Sequence, residues 1–222
     1  RNDENGGIIS NSGHVRVYQR DSNSENNTID TSDNFGPKGW RRLGDDIDGE
    51  APGDESGWSV SLSADGSIVA IGARYNNGNG SYSGHVKVYK YDGTNWGIMG
   101  EDIDGDAAGD LSGCSVSLSA DGSIVAIGAI YNNGNGTNSG YVKVYKYDGT
   151  KWGIMDAAII GDALSDDSGW AVAFSAGGSI VAMGTGHNSG HGTYRGHVKV
   201  SKHDGTNWGI LGAAMFRYAR RE

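Results

Sequence analysis

In 222 residues the chain has one cysteine, two prolines, three phenylalanines and four methionines. A lone Cys114 cannot close an internal disulfide, so no disulfide framework holds the fold. No apolar run reaches the roughly 18 residues that a membrane-spanning helix needs. Positive charge is also scarce. Lys and Arg number 18 against 27 Asp and Glu, a net charge of −9, which argues against a nucleic-acid backbone as the main partner. Helical periodicity is missing outside the last few residues. The chain opens Arg1-Asn2-Asp3, with neither an initiator Met nor a signal peptide, and reads as a processed chain or a piece of something longer. What remains is an acidic, turn-rich sequence with 39 glycines, long enough to bury a core as one domain or two small ones.

What is present is repetition. Trp40, Trp96, Trp152 and Trp208 recur every 56 residues. Ser56-Gly57-Trp58-Ser59-Val60 returns as Ser112-Gly113-Cys114-Ser115-Val116 and as Ser168-Gly169-Trp170-Ala171-Val172. Ser67-Ile68-Val69-Ala70-Ile71-Gly72 returns from Ser123 and, with Met for Ile, from Ser179. Gly84-His85-Val86-Lys87-Val88 returns at Gly140 and Gly196, and an outlying copy begins at Gly13. One structural unit has been duplicated.

Each unit reads as four strands. Trp58 to Ser63 alternates large apolar residues with serine, the period of a strand with two unlike faces. An Asp65-Gly66 hairpin turn, with both central residues expected at positive φ, leads to Ile68–Ala73, continuously apolar as in a strand covered on both sides. His85 to Tyr91 follows, then an Asp92-Gly93 turn and a strand around Trp96–Met99. Four antiparallel strands per repeat predict an all-β β-propeller of 56-residue, four-stranded blades, about 3.5 of them in this chain. The segments are an N-terminal half-blade with a polar insertion (1–43), blades at 44–99, 100–155 and 156–212, and a tail at 213–222. The first two strands of the unit occur three times and the last two occur four times, 14 strands in all, so an arc is expected instead of a closed four-bladed ring. The tail reads as a frayed end, a short helix or a docking peptide.

The Ser-Gly-Trp-Ser-Val start followed by Ile-Val-Ala-Ile-Gly-Ala resembles the FG-GAP repeat, the blade unit of integrin α-chain β-propellers, over three copies spanning roughly residues 44–212. A weaker resemblance to kelch repeats rests on Tyr89 and Trp96, without the double glycine. The FG-GAP resemblance implies a non-enzymatic scaffold that binds a protein partner in cell adhesion, in an extracellular, cell-surface or organelle-lumen setting. Two departures matter. Arg74 stands where the family has proline, and the turn Ser63-Ala64-Asp65-Gly66 is too short for the family's Asp-rich calcium loop.

In an up-and-down blade the two Asp-Gly turns share one end and the long connections share the other. The long-connection end holds 14 of the 27 acidic residues, and long loops on a rigid scaffold are where binding usually sits. Asp46, Asp48, Glu50 and Asp54, repeated as Asp102, Asp104, Asp106 and Asp110, are candidate calcium ligands, since Ca²⁺ takes sets of hard oxygens; the competing reading is turn capping. Trp58, Tyr75, Asn76, Tyr131, Asn132 and Trp170 are candidate ligand-binding residues, because aromatic faces beside amides suit a glycan; a lectin-like propeller is therefore the alternative function. A further alternative is a structural subunit or fragment of a larger propeller, completed by another chain or by further sequence. The every-56th Trp reads as a packing anchor between blades. Asn26, Asn79 and Asn135 head N-glycosylation sequons. No nucleophile elbow, phosphate loop or zinc spacing can be picked out.

Overall fold

The computed structural model describes residues 11–20, 39–186 and 196–212, together with the backbone of 215–216. All regular elements among them are β-strands. A half-sheet comes first: β1 (His14–Val15), β2 (Tyr18–Arg20), β3 (Trp40–Arg42) and β4 (Ile47–Asp48), with β2 paired to β3 and β1 to β4. Three complete antiparallel sheets follow. The first is β5 (Ser59–Leu62), β6 (Ile68–Ala73), β7 (His85–Tyr91), β8 (Trp96–Ile98) and β9 (Ile103–Asp104). The second is β10 (Ser112–Leu118), β11 (Ile124–Ala129), β12 (Tyr141–Tyr147), β13 (Trp152–Ile154) and β14 (Ile159–Ile160). The third is β15 (Ser168–Phe174), β16 (Ile180–Thr185), β17 (His197–His203), β18 (Trp208–Ile210) and β19 (Met215–Phe216). This is the all-β, partial propeller architecture that the repeat predicts; among the described residues no strand of the third sheet pairs with the half-sheet.

Three details correct the sequence reading. First, each sheet has five strands, not four. The third strand of a unit has seven residues and the fourth only three, so β8 covers the Tyr89–Tyr91 end of β7 and leaves the other end as an open edge. β9 closes it, pairing Ile103 with Val86 and Asp104 with His85. A two-residue strand has no alternation to detect, so it reads as loop. Together with the interruption that splits the first third-strand into β1 and β2, these short strands raise the count from 14 to 19. Second, Met215–Phe216 of the tail is the fifth strand of the third sheet, paired with β17. Third, the first turn has positive φ at Gly66 only (72°), not at Asp65. The Asp65 carboxylate instead accepts the Ser63 and Ser67 hydroxyls (2.6 and 2.8 Å) and the Ser67 amide (3.0 Å). Those bonds, the Ser63 hydroxyl first, pull its pKa down to about 2.

The sheets stack face to face. One core gathers Ile68, Ala70, Val86 and Val88 of the first sheet with Val116, Leu118, Val125 and Ile127 of the second. The next repeats the arrangement between the second and third sheets around Ala126, Val142, Val144, Val181 and Met183. Near the inner strands the backbones close in. A Cβ at Gly72 would overlap the Gly113 carbonyl, and one at Gly128 would overlap that of Gly169, which is why the Ile-Val-Ala-Ile-Gly-Ala strand carries glycine there. The inner-strand serines bridge the sheets: Ser59 Oγ donates to the Gly113 carbonyl (2.8 Å) and Ser115 Oγ to that of Gly169 (2.6 Å). The outer seam is closed by the repeated Trp. Trp96, Trp152 and Trp208 donate their indole N–H to the carbonyls of Leu43, Met99 and Met155 in the preceding unit (2.7, 2.6 and 3.2 Å).

Candidate functional site: the acidic long-loop face

The β6–β7 and β11–β12 loops meet the acidic inter-sheet segments on one end of the molecule, held there by duplicated bonds. Buried Asp54 accepts the Ala51 amide (3.2 Å) and the Asn76 side-chain amide (2.9 Å). Asp110 does the same with Ala107 (3.1 Å) and Asn132 (2.9 Å), and burial pushes its carboxyl above the ordinary range. Asp166 accepts the amides of Asp162 and Ala163 (3.1 and 2.9 Å). Asn76 and Asn132 turn their own oxygens onto the amides of Gly78 and Gly134 (2.7 and 2.8 Å). These are Asx turns that fix the loop backbone. From the loop tips, Asn79 donates to the Gly105 carbonyl (2.8 Å) and Asn135 to that of Gly161 (3.0 Å). The sequon amides at 79 and 135 are thus occupied in clamping each loop to the next segment; Asn26 lies outside the described residues.

The other carboxylates meet cations. Arg16 grips Asp46 with two bonds of 2.7 Å, joined by Arg42, and the Arg16 bond foremost holds the Asp46 pKa down. One lysine from each third strand reaches an acid 37 residues earlier: Lys87 to Glu50, Lys143 to Asp106 and Lys199 to Asp162. Lys87 also contacts Asp102 (3.2 Å). Burial would lower the Lys87 ammonium, but Glu50 and Asp102 hold it above its ordinary value. Beside it His85 is buried, and desolvation lowers its pKa against the pull of Asp102. Sequence reasoning missed these lysines. The signal was there, as an acid and a lysine repeating together at a fixed separation.

This arrangement answers how the eight candidate calcium ligands are placed. Glu50, His85 and Asp102 bring one ligand atom each within 4.8 Å of one another, yet the Lys87 ammonium supplies the positive charge there. Asp46, Asp106, Asp54 and Asp110 are held by guanidinium, ammonium or amide groups, and Asp48 and Asp104 stand exposed on the short strands β4 and β9. Ca²⁺ takes six to eight oxygens, so an ion at these carboxylates would have to displace the side chains that now hold them.

The aromatic candidates fall into separate groups. Trp58 lies beneath Arg74, whose guanidinium sits 3.1 Å from the ring centroid and pairs with Glu55 (3.0 Å). Tyr75 packs on Leu111, Cys114 and Ile130 of the next unit and meets Tyr82 edge-on at 5.2 Å. Asn76 and Asn132 are committed to Asp54 and Asp110, and Tyr131 is exposed. Trp170, 55% exposed, lies over Gly186 on the third sheet. Cys114 is buried, and desolvation raises its thiol to about 11, leaving it an inert packing residue. A shallow cavity at the side of the half-sheet is lined by Asp45, Asp46, Ile47, Asp48, Tyr89, Asn95 and Trp96.

The fold and its duplicated strand pattern define a repeat protein of the propeller type. Residues 47–89 match the FG-GAP repeat, in agreement with the resemblance carried by Ser56–Val60 and Ile68–Ala73. No curated protein matches the chain. Among solved structures it is similar to the tricorn protease (10% identity, TM-score 0.41, 72% of this chain and 15% of that one). It is also similar to a candidate 6-phosphogluconolactonase from Bacteroides uniformis (10% identity, TM-score 0.37, 82% of this chain and 65% of that one). The chain therefore spans less than two thirds of either protein, and neither likeness is close enough to carry an argument about activity. No helix among the described residues is long and apolar enough to cross a membrane.

Proposed function

We propose that the chain is a non-enzymatic binding scaffold of FG-GAP propeller type, in an extracellular, cell-surface or lumenal setting, engaging a protein partner through its acidic long-loop face. The observation that supports this reading is the duplicated locking of that face. Asp54–Asn76, Asp110–Asn132 and the Asn79 and Asn135 clamps hold two long loops in register, while Asp48, Asp104 and other acids stand exposed around them. A surface fixed before binding loses less conformational entropy on association, and its charge favours a basic partner. A peptide-display selection on the immobilised chain tests this. It is expected to enrich Lys- and Arg-bearing sequences whose binding weakens about tenfold on Asp48→Lys with Asp104→Lys and falls with added salt. Binders indifferent to both changes would overturn the reading.

A lectin-like reading is favoured by one feature, the half-exposed Trp170 ring over Gly186. A glycan array with the chain and Trp170→Ala decides it, since a sugar stacked on that indole is lost with the ring.

A further inference from the structure

Each long loop carries two Asn-Gly pairs, 77–78 and 79–80 in the first and 133–134 and 135–136 in the second. In such a pair the glycine backbone nitrogen can attack the asparagine Cγ. The glycine N–H proton leaves with the side-chain NH₂ as ammonia, a five-membered succinimide closes, and water opens it to Asp or isoAsp. Glycine has no Cβ to hinder the attack and the widest backbone freedom to reach it. At the second pair of each loop the fold calls for both residues. Gly80 and Gly136 have φ of 119° and 108°, and a Cβ would meet Ala108 Cβ at 3.1 Å and Leu164 Cδ2 at 2.1 Å. Asn79 and Asn135 supply the clamps. Their side-chain N–H groups donate to the carbonyls of Gly105 and Asp106 (2.8 and 3.2 Å) and of Gly161 and Asp162 (3.0 and 3.4 Å). The residues that hold each loop closed are thus a labile pair, and Asn79, Gly80 and Asn135 stand exposed to water.

We propose that Asn79 and Asn135 are deamidation sites guarded by their own clamps: each reacts only from the opened loop, and its reaction releases that loop irreversibly. In the closed loop both reacting groups are engaged. Gly80 and Gly136 donate their N–H, the nucleophile's proton, to the Asn77 and Asn133 carbonyls (3.2 Å each). The amide that must depart carries two bonds to the neighbouring segment, which holds Cγ on that side. After reaction the side chain presents carboxylate oxygens, acceptors only, to the same two carbonyls, so the clamp has no donor left to re-form. The first pair of each loop behaves differently. Gly78 and Gly134 donate their N–H to Asn76 and Asn132. Asn77 and Asn133 accept the amides of Tyr82 and Asn138 with Oδ1 (2.9 Å each), a bond that an aspartate keeps. The acidic face therefore ages one loop at a time, at its clamps, and the inference does not depend on what that face binds.

The test is peptide mapping by mass spectrometry, with Asp and isoAsp resolved, after incubation of the 222-residue chain in mildly alkaline buffer, folded and in unfolding urea. In urea the loop pairs should react at similar rates. In the folded chain Asn79 and Asn135 should react at least about tenfold more slowly, as chemistry through local opening requires. Ser83→Ala removes the hydroxyl that accepts the Asn79 backbone amide (3.2 Å). It should speed Asn79 about fivefold and leave Asn135, held by its own Ser139, unchanged. In Asn79→Asp the amides of Gly109 and Leu111, bonded to the Ser81 and Tyr82 carbonyls, should exchange hydrogen faster, while their counterparts Ser165 and Asp167 do not. Equal rates at Asn79 and Asn135 in the folded and unfolded chain would overturn the proposal. An equal rise at Asn135 in Ser83→Ala would do so as well, since it would mark opening of the whole chain. Unchanged exchange in Asn79→Asp would refute the release. Should Ser83→Ala not fold, the urea comparison and Asn79→Asp still decide.

Discussion

The strand Ile-Val-Ala-Ile-Gly-Ala occurs as β6 in the first sheet and, with the same sequence, as β11 in the second; β16 of the third sheet is its near copy Ile-Val-Ala-Met-Gly-Thr. β6 is buried along its whole length and β11 along all but its first residue, whereas β16 alternates between buried and half-buried positions. The inner strands differ in the other direction, β10 buried and β5 open on its apolar side. The central sheet has a neighbour on each face. Among the described residues, the first sheet has only half of one neighbour and the third has none on its far face. Burial here is a property of position in the stack, and the same side chain serves as core in one repeat and as surface in another.

Substitutions at equivalent positions can break that comparison. The largest difference is expected for Leu118→Ala against Leu62→Ala. The first leaves a cavity between two sheets and should cost about 2–5 kcal/mol; the second should cost below about 1 kcal/mol. Urea unfolding of both variants measures the gap, and equal losses would show that the first sheet is covered in solution. Next in size is Gly128→Ala against Gly184→Ala. A Cβ at 128 meets the Gly169 carbonyl and Ser115 Oγ, while one at 184 has only Ala171 atoms at 3.6 Å or beyond. Overpacking should cost the first about 1–3 kcal/mol and leave the second near zero.

A smaller effect separates the third strands, where Tyr141 stands in place of His85. Because desolvation lowers the His85 pKa below its usual 6.5, the unfolded chain takes up a proton before the folded one does. Stability is then complete above about pH 6.5 and declines as pH falls towards the folded value. His85→Tyr should flatten that limb of the melting curve. It should leave the decline below about pH 4, where Asp65 and Asp204, both held near 2 in the fold, are protonated first in the unfolded chain. The smallest expected effect concerns the acidic clusters. With Arg16, Arg42, Lys87 and Lys143 already on the carboxylates, the melting temperature should be the same in calcium and in chelator. A rise in calcium would show that the ion displaces those side chains.

Much of this was legible in the residues. The 56-residue period located the three inner strand pairs and the four outer ones, since alternation and turn residues are local signals. The long loops and the acidic segments were also placed at one end, because strand reversal fixes which connections share a side. What escaped were features with no local pattern. The fifth strands have two residues each. The turn at Asp65 keeps φ negative because its side chain, not its backbone, closes the loop. Asp46 and Glu50 look like metal ligands in sequence and sit on Arg16 and Lys87, residues 30 to 37 positions away.

By itself, then, the sequence determined the unit: its strands, its period, the serine and glycine positions that let sheets approach, and its likeness to the FG-GAP repeat. Duplicated local pattern is enough for that, because each unit folds from contacts within itself and with adjacent repeats. Only the tertiary structure decided what the charges and the ends do. Which cation neutralises which acid depends on distances across units, and whether Val60 or Val116 is core depends on which sheet lies alongside. Those are pairings between distant parts of the chain, which a repeated sequence states identically in every copy and the stack resolves differently at each one.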